Sequence, residues 1–264
     1  MICRTMPPLL LLVLSWLMGL ASSTLVAAAE SGDQGPLTAF ARANEAYRSR
    51  DYVKALTLYR SVDSKLRNPV VLYNRGNAAF KAGRLGEAIL ALEKAHRLAP
   101  RDPDIRVNLS YVKAQVRDSI PEEDLDLVTR LLSGIIGRFS LNELAAASSI
   151  LFWVSMLLAC ALVLVRAPAP GYWLRCALAF FAVALVLVAG LFAIKFYLDE
   201  WHRNGVILAA EVQVMSGPGQ DEIKRFTLHE GTQVRLVKEW DRWVQIGLPN
   251  GETGWTLSEH VGQI

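Results

Sequence analysis

Asn68-Pro69-Val70-Val71-Leu72-Tyr73-Asn74-Arg75-Gly76-Asn77-Ala78-Ala79-Phe80-Lys81-Ala82-Gly83-Arg84-Leu85 is the stretch whose reading decides the fold of the first half of the chain. Proline at a first helical position loses no useful donor, and Asn or Asp before it caps free backbone N–H groups. Asn68-Pro69 is thus a helix start. Gly35-Pro36 lies 33 positions before it and Asp102-Pro103 lies 34 after, so three helices begin in phase. The copies align internally. Ala43-Asn44-Glu45-Ala46-Tyr47 corresponds to Gly76-Asn77-Ala78-Ala79-Phe80, and Tyr52, Ala55 and Tyr59 correspond to Leu85, Ala88 and Leu92. Gly76 inside a helix costs about 1 kcal/mol relative to Ala. Close approach of a second helix, through Ala79 and Ala88, offsets that cost. Gly83 turns the chain.

These residues resemble the tetratricopeptide repeat (TPR) family, with Leu72, Gly76, Gly83, Leu85, Ala88, Leu92, Ala95 and Pro100 at pattern positions. The repeat domain is expected over 36–118, with the helix from Pro103 to about Val116 as a terminal cap. Arg50 departs from the pattern, standing where a turn Gly is usual. The resemblance implies a concave face for a peptide or partner and no chemistry. Asn44, Tyr47, Tyr73, Asn77 and Lys81 are expected to line it, with Asn74 and Asn108 in step on successive helices. Asn44 and Asn74 match two positions of the carboxylate clamp by which some TPR proteins hold C-terminal peptides. Phe40, Asp104 and Asn108 occupy its cationic places, so an internal segment or a folded partner is implied. The rival reading is that the Asn side chains only satisfy nearby backbone groups.

On either side of the repeat the chain is apolar. Residues 1–29 read as a secretory signal: Arg4, an apolar core from Leu9 to Leu20, then Ala27-Ala28-Ala29. Two spans follow at 144–165 and 176–195, each near the ~20 residues that cross ~30 Å of hydrocarbon. The rival is a helical hairpin buried in a soluble protein. The 166–175 connection carries Arg166 and Arg175 and no acid. The positive-inside rule makes it cytoplasmic, which leaves both flanking domains outside. Between repeat and first span, 119–143 reads as an acidic linker (Pro121-Glu122-Glu123-Asp124). A helix with apolar residues at helical spacing from Leu127 to Phe139 follows, lying on the membrane surface or facing a partner.

Residues 205–264 change period. Glu211-Val212-Gln213-Val214 and Val244-Gln245-Ile246-Gly247-Leu248 alternate as strands do. Gly217-Pro218-Gly219, Glu230-Gly231 and Pro249-Asn250-Gly251 are turn signals, Asn250-Gly251 suiting a tight hairpin. A small closed barrel is expected. The strings Val214-Met215-Ser216-Gly217-Pro218, Leu228-His229-Glu230-Gly231-Thr232, Trp243-Val244-Gln245-Ile246 and Leu248-Pro249-Asn250-Gly251-Glu252-Thr253-Gly254-Trp255 resemble the bacterial SH3 family. Met215 stands where that family usually has Arg, and the acidic-aromatic loop for Pro-rich ligands is lacking, so polyproline binding is not implied. Trp243 and Trp255 read as barrel core or groove floor. Trp240, between Glu239 and Asp241 in an expected loop, ranks first as a contact residue.

The remaining composition narrows the chemistry. The net charge of +3 is spread without a long basic run, which does not suggest nucleic-acid binding. Cys3, Cys160 and Cys176 lie outside both soluble domains, so neither domain has a disulfide framework or thiolate metal site. His96, His202, His229 and His260 show no ligand spacing, and there is no phosphate-cradling Gly loop and no His-Glu-x-x-His. No cofactor or enzyme chemistry is expected. The fold class is a multi-domain membrane protein: α-helical TPR repeat, two transmembrane helices and a small all-β SH3-like barrel. In its order, signal, TPR, two membrane helices and bacterial SH3, the chain resembles the BatE-type proteins of the bacterial aerotolerance (Bat) family. That resemblance implies a scaffold in the bacterial cytoplasmic membrane with both domains periplasmic. It also implies partners with von Willebrand A-type domains and a MoxR-type AAA+ ATPase, and a link to stress tolerance. The alternative from another class is a peptidoglycan-binding or cell-wall-sensing protein.

Overall fold

The structure, a computed structural model, describes residues 35–264 other than 65, 122–132, 165–167, 202 and 220. The expected signal at 1–29, the first half of the expected interfacial helix (127–132) and the start of the expected loop at 166–175 lie outside the described residues.

Five helices form the first module: α1 (Pro36–Arg48), α2 (Tyr52–Asp63), α3 (Pro69–Lys81), α4 (Leu85–Leu98) and α5 (Pro103–Lys113). The caps read from the sequence are made. Asn68 Oδ1 accepts from the Val70 N–H at 2.8 Å, and Asp102 Oδ1 accepts from Asp104 at 2.9 Å. Ala43, Ala55, Ala78, Ala79 and Ala88 are fully buried where helices cross, with Leu56, Tyr59 and Leu92 filling the space between them. A Cβ on Gly76 would lie 2.6 Å from Leu92 Cγ, which is why the helix carries glycine there. The turn between α3 and α4 takes a φ of +76° at Gly83; Arg50 adopts the same left-handed conformation, φ +63°, between α1 and α2. An L-residue pays roughly 1–2 kcal/mol for that geometry.

Two long helices follow, α6 (Leu141–Leu164) and α7 (Pro168–Trp201), packed antiparallel to each other. Both are long and apolar enough to cross a membrane, and their large apolar side chains, among them Leu157, Val163, Phe180 and Val186, are exposed. Their limits differ from the expected 144–165 and 176–195. Ser140 and Glu143 form a reciprocal capping box that starts α6 three residues earlier: Ser140 Oγ accepts from the Glu143 N–H at 3.2 Å, and Glu143 Oε2 accepts from the Ser140 N–H at 2.8 Å. α7 begins at Pro168, so Arg175 lies in a helix and not in a loop of 166–175. Helical hydrogen bonding propagates past the point where apolar composition stops.

The last module has seven strands: β1 (Asn204–Ile207), β2 (Glu211–Met215), β3 (Lys224–His229), β4 (Gln233–Trp240), β5 (Trp243–Gly247), β6 (Thr253–Leu257) and β7 (Val261–Gln263). They pair antiparallel in the order β3-β2-β6-β5-β4-β1-β7 around a core of Ile207, Val212, Val214, Leu228, Val244 and Ile246. The expected closed barrel is an open ladder. Its two edges, β3 and β7, do not pair with one another. β7 is instead covered by α4: a Cβ on Gly262 would lie 2.5 Å from Leu90. A helix laid along an exposed edge removes the need for a closing strand. The hairpins also differ from expectation. Asn250-Gly251 sits in a five-residue connection, 248–252, in which only Gly251 takes positive φ (+84°) and Asn250 Oδ1 accepts from the Glu252 N–H at 3.1 Å. The two-residue turn is Asp241-Arg242, with Asp241 at φ +51°.

Repeat and sheet dock on each other. Val206 of β1 is fully buried in the core of the helical module, and Leu208 and Ile264 pack against it. Bare backbone makes this approach close. A Cβ on Gly86 of α4 would be 2.3 Å from the Ile207 carbonyl oxygen, and one on Gly231 would touch Ile89 and Val116 at 3.0 Å. Polar groups fix the register. Glu230 Oε1 accepts from the Gly86 N–H at 2.9 Å, Gln233 Nε2 donates to Glu93 at 2.6 Å, and Asp118 accepts from the Thr232 hydroxyl at 2.6 Å. Asp118 therefore belongs to a seam, and Ile120 beyond it packs against the sheet core. Charge favours the docking: residues 36–118 hold 16 Lys and Arg against 8 Asp and Glu, whereas 205–264 hold 5 against 8.

Candidate functional site

A groove of about 270 Å³ opens on the helical module, lined by Asn44, Tyr47, Arg48, Tyr59, Asn74 and Asn77. It brings together residues of α1, α2 and α3 because the second position of each aligned Ala/Gly-Asn string faces the same way after one repeat. Asn44 Oδ1 accepts from the Tyr59 hydroxyl at 2.6 Å and from Asn74 Nδ2 at 3.4 Å. On the next repeat, Asn108 Nδ2 donates to the Tyr73 hydroxyl at 2.9 Å and to Asn77 Oδ1 at 3.0 Å. The amides are thus held by side chains of neighbouring helices, not by nearby backbone as the rival reading had it.

This network consumes one end of each lining amide and leaves the other. Among the described residues, the Asn44 and Asn77 NH₂ groups and the Asn74 carbonyl have no protein partner. Two donors and one acceptor on a rigid wall match the alternating C=O and N–H of an extended peptide. Aromatic faces flank them: Tyr47 meets Tyr52 edge-on at 5.4 Å, and Phe40 tilts against Tyr59 at 6.0 Å. Burial pushes the Tyr59 phenol up to about 12, with Tyr47 adding to the shift and Arg48 opposing it. Burial also raises Tyr47, followed by its neighbours Tyr52 and Tyr73. Both phenols stay neutral donors at physiological pH.

Asn44, Tyr47, Asn74 and Asn77 therefore converge as expected, while Tyr73 and Asn108 back the groove through hydrogen bonds. Lys81 is exposed on the last turn of α3 and does not line it. Arg48 and Tyr59 line it without having been singled out. The repeat alignment carried the signal for Tyr59, since it pairs Tyr59 with Leu92 and puts a hydroxyl where its partner is apolar. The three candidate tryptophans, Trp240, Trp243 and Trp255, lie in the sheet. Trp243 is buried and Trp255 half-buried. Trp240 is not in a loop: it ends β4, directly opposite Trp243, because the turn after it needs only two residues. It is 60 % exposed, with Lys238 Nζ 5.8 Å from its ring centroid.

Among the described residues no group of three or more His, Cys, Asp and Glu side chains could hold a metal ion.

The family model for the tetratricopeptide repeat matches residues 69–102, the span of α3, α4 and the cap of α5. A comparison with curated proteins finds no match. The chain contains a TPR, a repeat that is typically non-catalytic and binds partner proteins.

Proposed function

We propose that this chain is a membrane-anchored scaffold whose TPR groove holds an extended internal segment of a partner protein. The observation that carries the reading is the Asn44–Tyr59–Asn74 and Asn77–Asn108–Tyr73 network, which locks the three lining amides, Asn44, Asn74 and Asn77, and leaves peptide-matching donors and an acceptor open. α6 and α7 span the bilayer in this reading. Arg175 and Lys195 are twenty residues apart on α7, about 30 Å along a helix axis, the thickness of the hydrocarbon layer. Docking of repeat on sheet supports a common side for both modules, and Arg166 and Arg175 support a periplasmic one. The sheet acts as a bacterial SH3-type module. The layout supports a Bat-type envelope assembly with von Willebrand A-type membrane partners and a MoxR-type ATPase across the bilayer.

The test uses the full chain in native membranes with a photo-crosslinking residue at Tyr47. One discrete partner adduct is expected, and Asn44→Ala combined with Asn77→Ala should abolish it. An adduct unchanged by that double substitution would overturn the groove assignment.

The exposed Trp240 with Lys238 beside it favours a second reading, peptidoglycan binding, since aromatic faces stack on sugars. Full chain in detergent that co-sediments with purified sacculi, and loses this with Trp240→Ala, would support it over the scaffold.

A further inference from the structure

A cleft of about 760 Å³ lies at the foot of the soluble modules, where α6 begins and α7 ends. Arg67 before α3, Lys94 and Arg97 on α4, and Arg203 just past α7 all line it, with Asn142 at the first turn of α6. Asp63 is the acid among its lining residues, and its carboxylate meets Arg75 at 2.6 Å. Among the described residues neither Arg67 nor Lys94 pairs with a carboxylate. A cleft in which cations outnumber acids concentrates counter-ions. Lys94 registers that field: burial, and then the charges of Arg75, Arg67 and Arg97, hold its ammonium below its usual value, with Asp63 pulling the other way. An anion in the cleft would relieve both effects.

We propose that this cleft binds the phosphodiester of an anionic phospholipid headgroup. The inference rests on the membrane reading above, which sets the cleft's mouth beside Leu141 and Arg203 at headgroup level. Guanidinium groups match phosphate oxygens in paired hydrogen bonds, and an ammonium adds a point charge. Basic pockets at the ends of membrane helices hold such headgroups. A bound lipid would tie repeat, sheet and helical hairpin together, since Lys94, Gln263 and Asn142, which line the cleft, come from all three.

The full chain, in an uncharged detergent, is reconstituted into phosphatidylcholine vesicles with and without phosphatidylglycerol, floated, and released for native mass spectrometry. Wild type should retain phosphatidylglycerol selectively. The double variant Arg67→Ala, Lys94→Ala should retain roughly tenfold less or lower still, while Arg67→Lys with Lys94→Arg and the remote Lys238→Ala should keep it. Circular dichroism of the double variant identifies misfolding, in which case the charge-keeping pair carries the test. Equal retention by folded wild type and double variant would overturn the proposal. So would thermal stabilisation by inorganic phosphate without lipid selectivity, which would assign the cleft to free phosphate. A chain that floats with neither vesicle would instead sink the membrane reading and take this proposal with it.

Discussion

Asp118 grips His229 twice across the seam between repeat and sheet: its Oδ2 accepts from the His229 main-chain N–H at 2.7 Å, and its Oδ1 meets the ring Nδ1 at 2.6 Å. The residues are 111 positions apart, so one carboxylate ties the end of the repeat to the sheet across both long apolar helices.

Replacing Asp118 by Ala should therefore loosen the docking more than it perturbs either module. Hydrogen bonds to a charged group contribute about 1.5–3 kcal/mol each in favourable cases, but partial exposure lowers this to about 1–3 kcal/mol in total. Hydrogen exchange is the measurement: the His229 and Thr232 amides should lose protection while those of α2 and α3 keep theirs.

The same carboxylate gives the seam an acid limit. Burial pushes Asp118 up, but the Thr232 hydroxyl, the His229 N–H and the His229 ring outweigh it, and its folded value lies below the usual one. A depressed carboxylate adds stability above its unfolded value, about 3.9. That contribution is lost as pH falls through the lower folded value. Module separation should begin below about pH 4, and Asp118→Asn should weaken the seam at neutral pH and flatten this acid dependence. A pH series of intermodule fluorescence transfer reads both.

Gly86→Ala should be costly despite a better helix former. The new Cβ would meet the Ile207 carbonyl at 2.3 Å, and backbone cannot move aside as a side chain can. Overpacking of about 1–3 kcal/mol exceeds the roughly 1 kcal/mol gained in helix propensity. The melting temperature should fall, and Gly76→Ala, which faces a Leu92 side chain, should cost no more.

Arg50→Gly should stabilise the protein by about 1 kcal/mol, because its left-handed φ of +63° is one that glycine adopts freely. Gly83→Ala at the matching turn should lose a similar amount. Thermal unfolding of the two variants should move in opposite directions.

Tyr59 sets an alkaline limit on the groove. A phenol raised to about 12 contributes stability that is complete below the unfolded value of about 10 and lost as pH rises through the folded one. Ultraviolet titration should show late tyrosine ionisation, and Tyr59→Phe should remove its most alkaline part and destabilise by about 1 kcal/mol through the lost bond to Asn44.

Much of the helical module could be read before any coordinates. Pro36, Asn68-Pro69 and Asp102-Pro103 mark helix starts by local chemistry, and Gly76 and Gly83 mark a crossing and a turn. The groove is half legible in the sequence: Asn44, Tyr47, Asn74 and Asn77 fall in step by period, whereas Lys81 shares the period but lies outside the groove, because a repeat position does not say which way a long flexible side chain points. The charged neighbours of Trp240 resemble turn residues and suggest a loop, but strand pairing continues to the Asp241-Arg242 turn.

Local spacing alone determined where the repeat helices begin, that two long apolar helices follow and that the last sixty residues form short strands, since capping, periodicity and apolar composition act between residues close in the chain. Tertiary structure decided that the sheet stays open under α4, that Gly86, Gly231 and Gly262 let two modules meet, and that four cations from distant segments face one cleft. Those contacts join residues more than a hundred positions apart, and their energies depend on shape and charge brought together only after each module has folded.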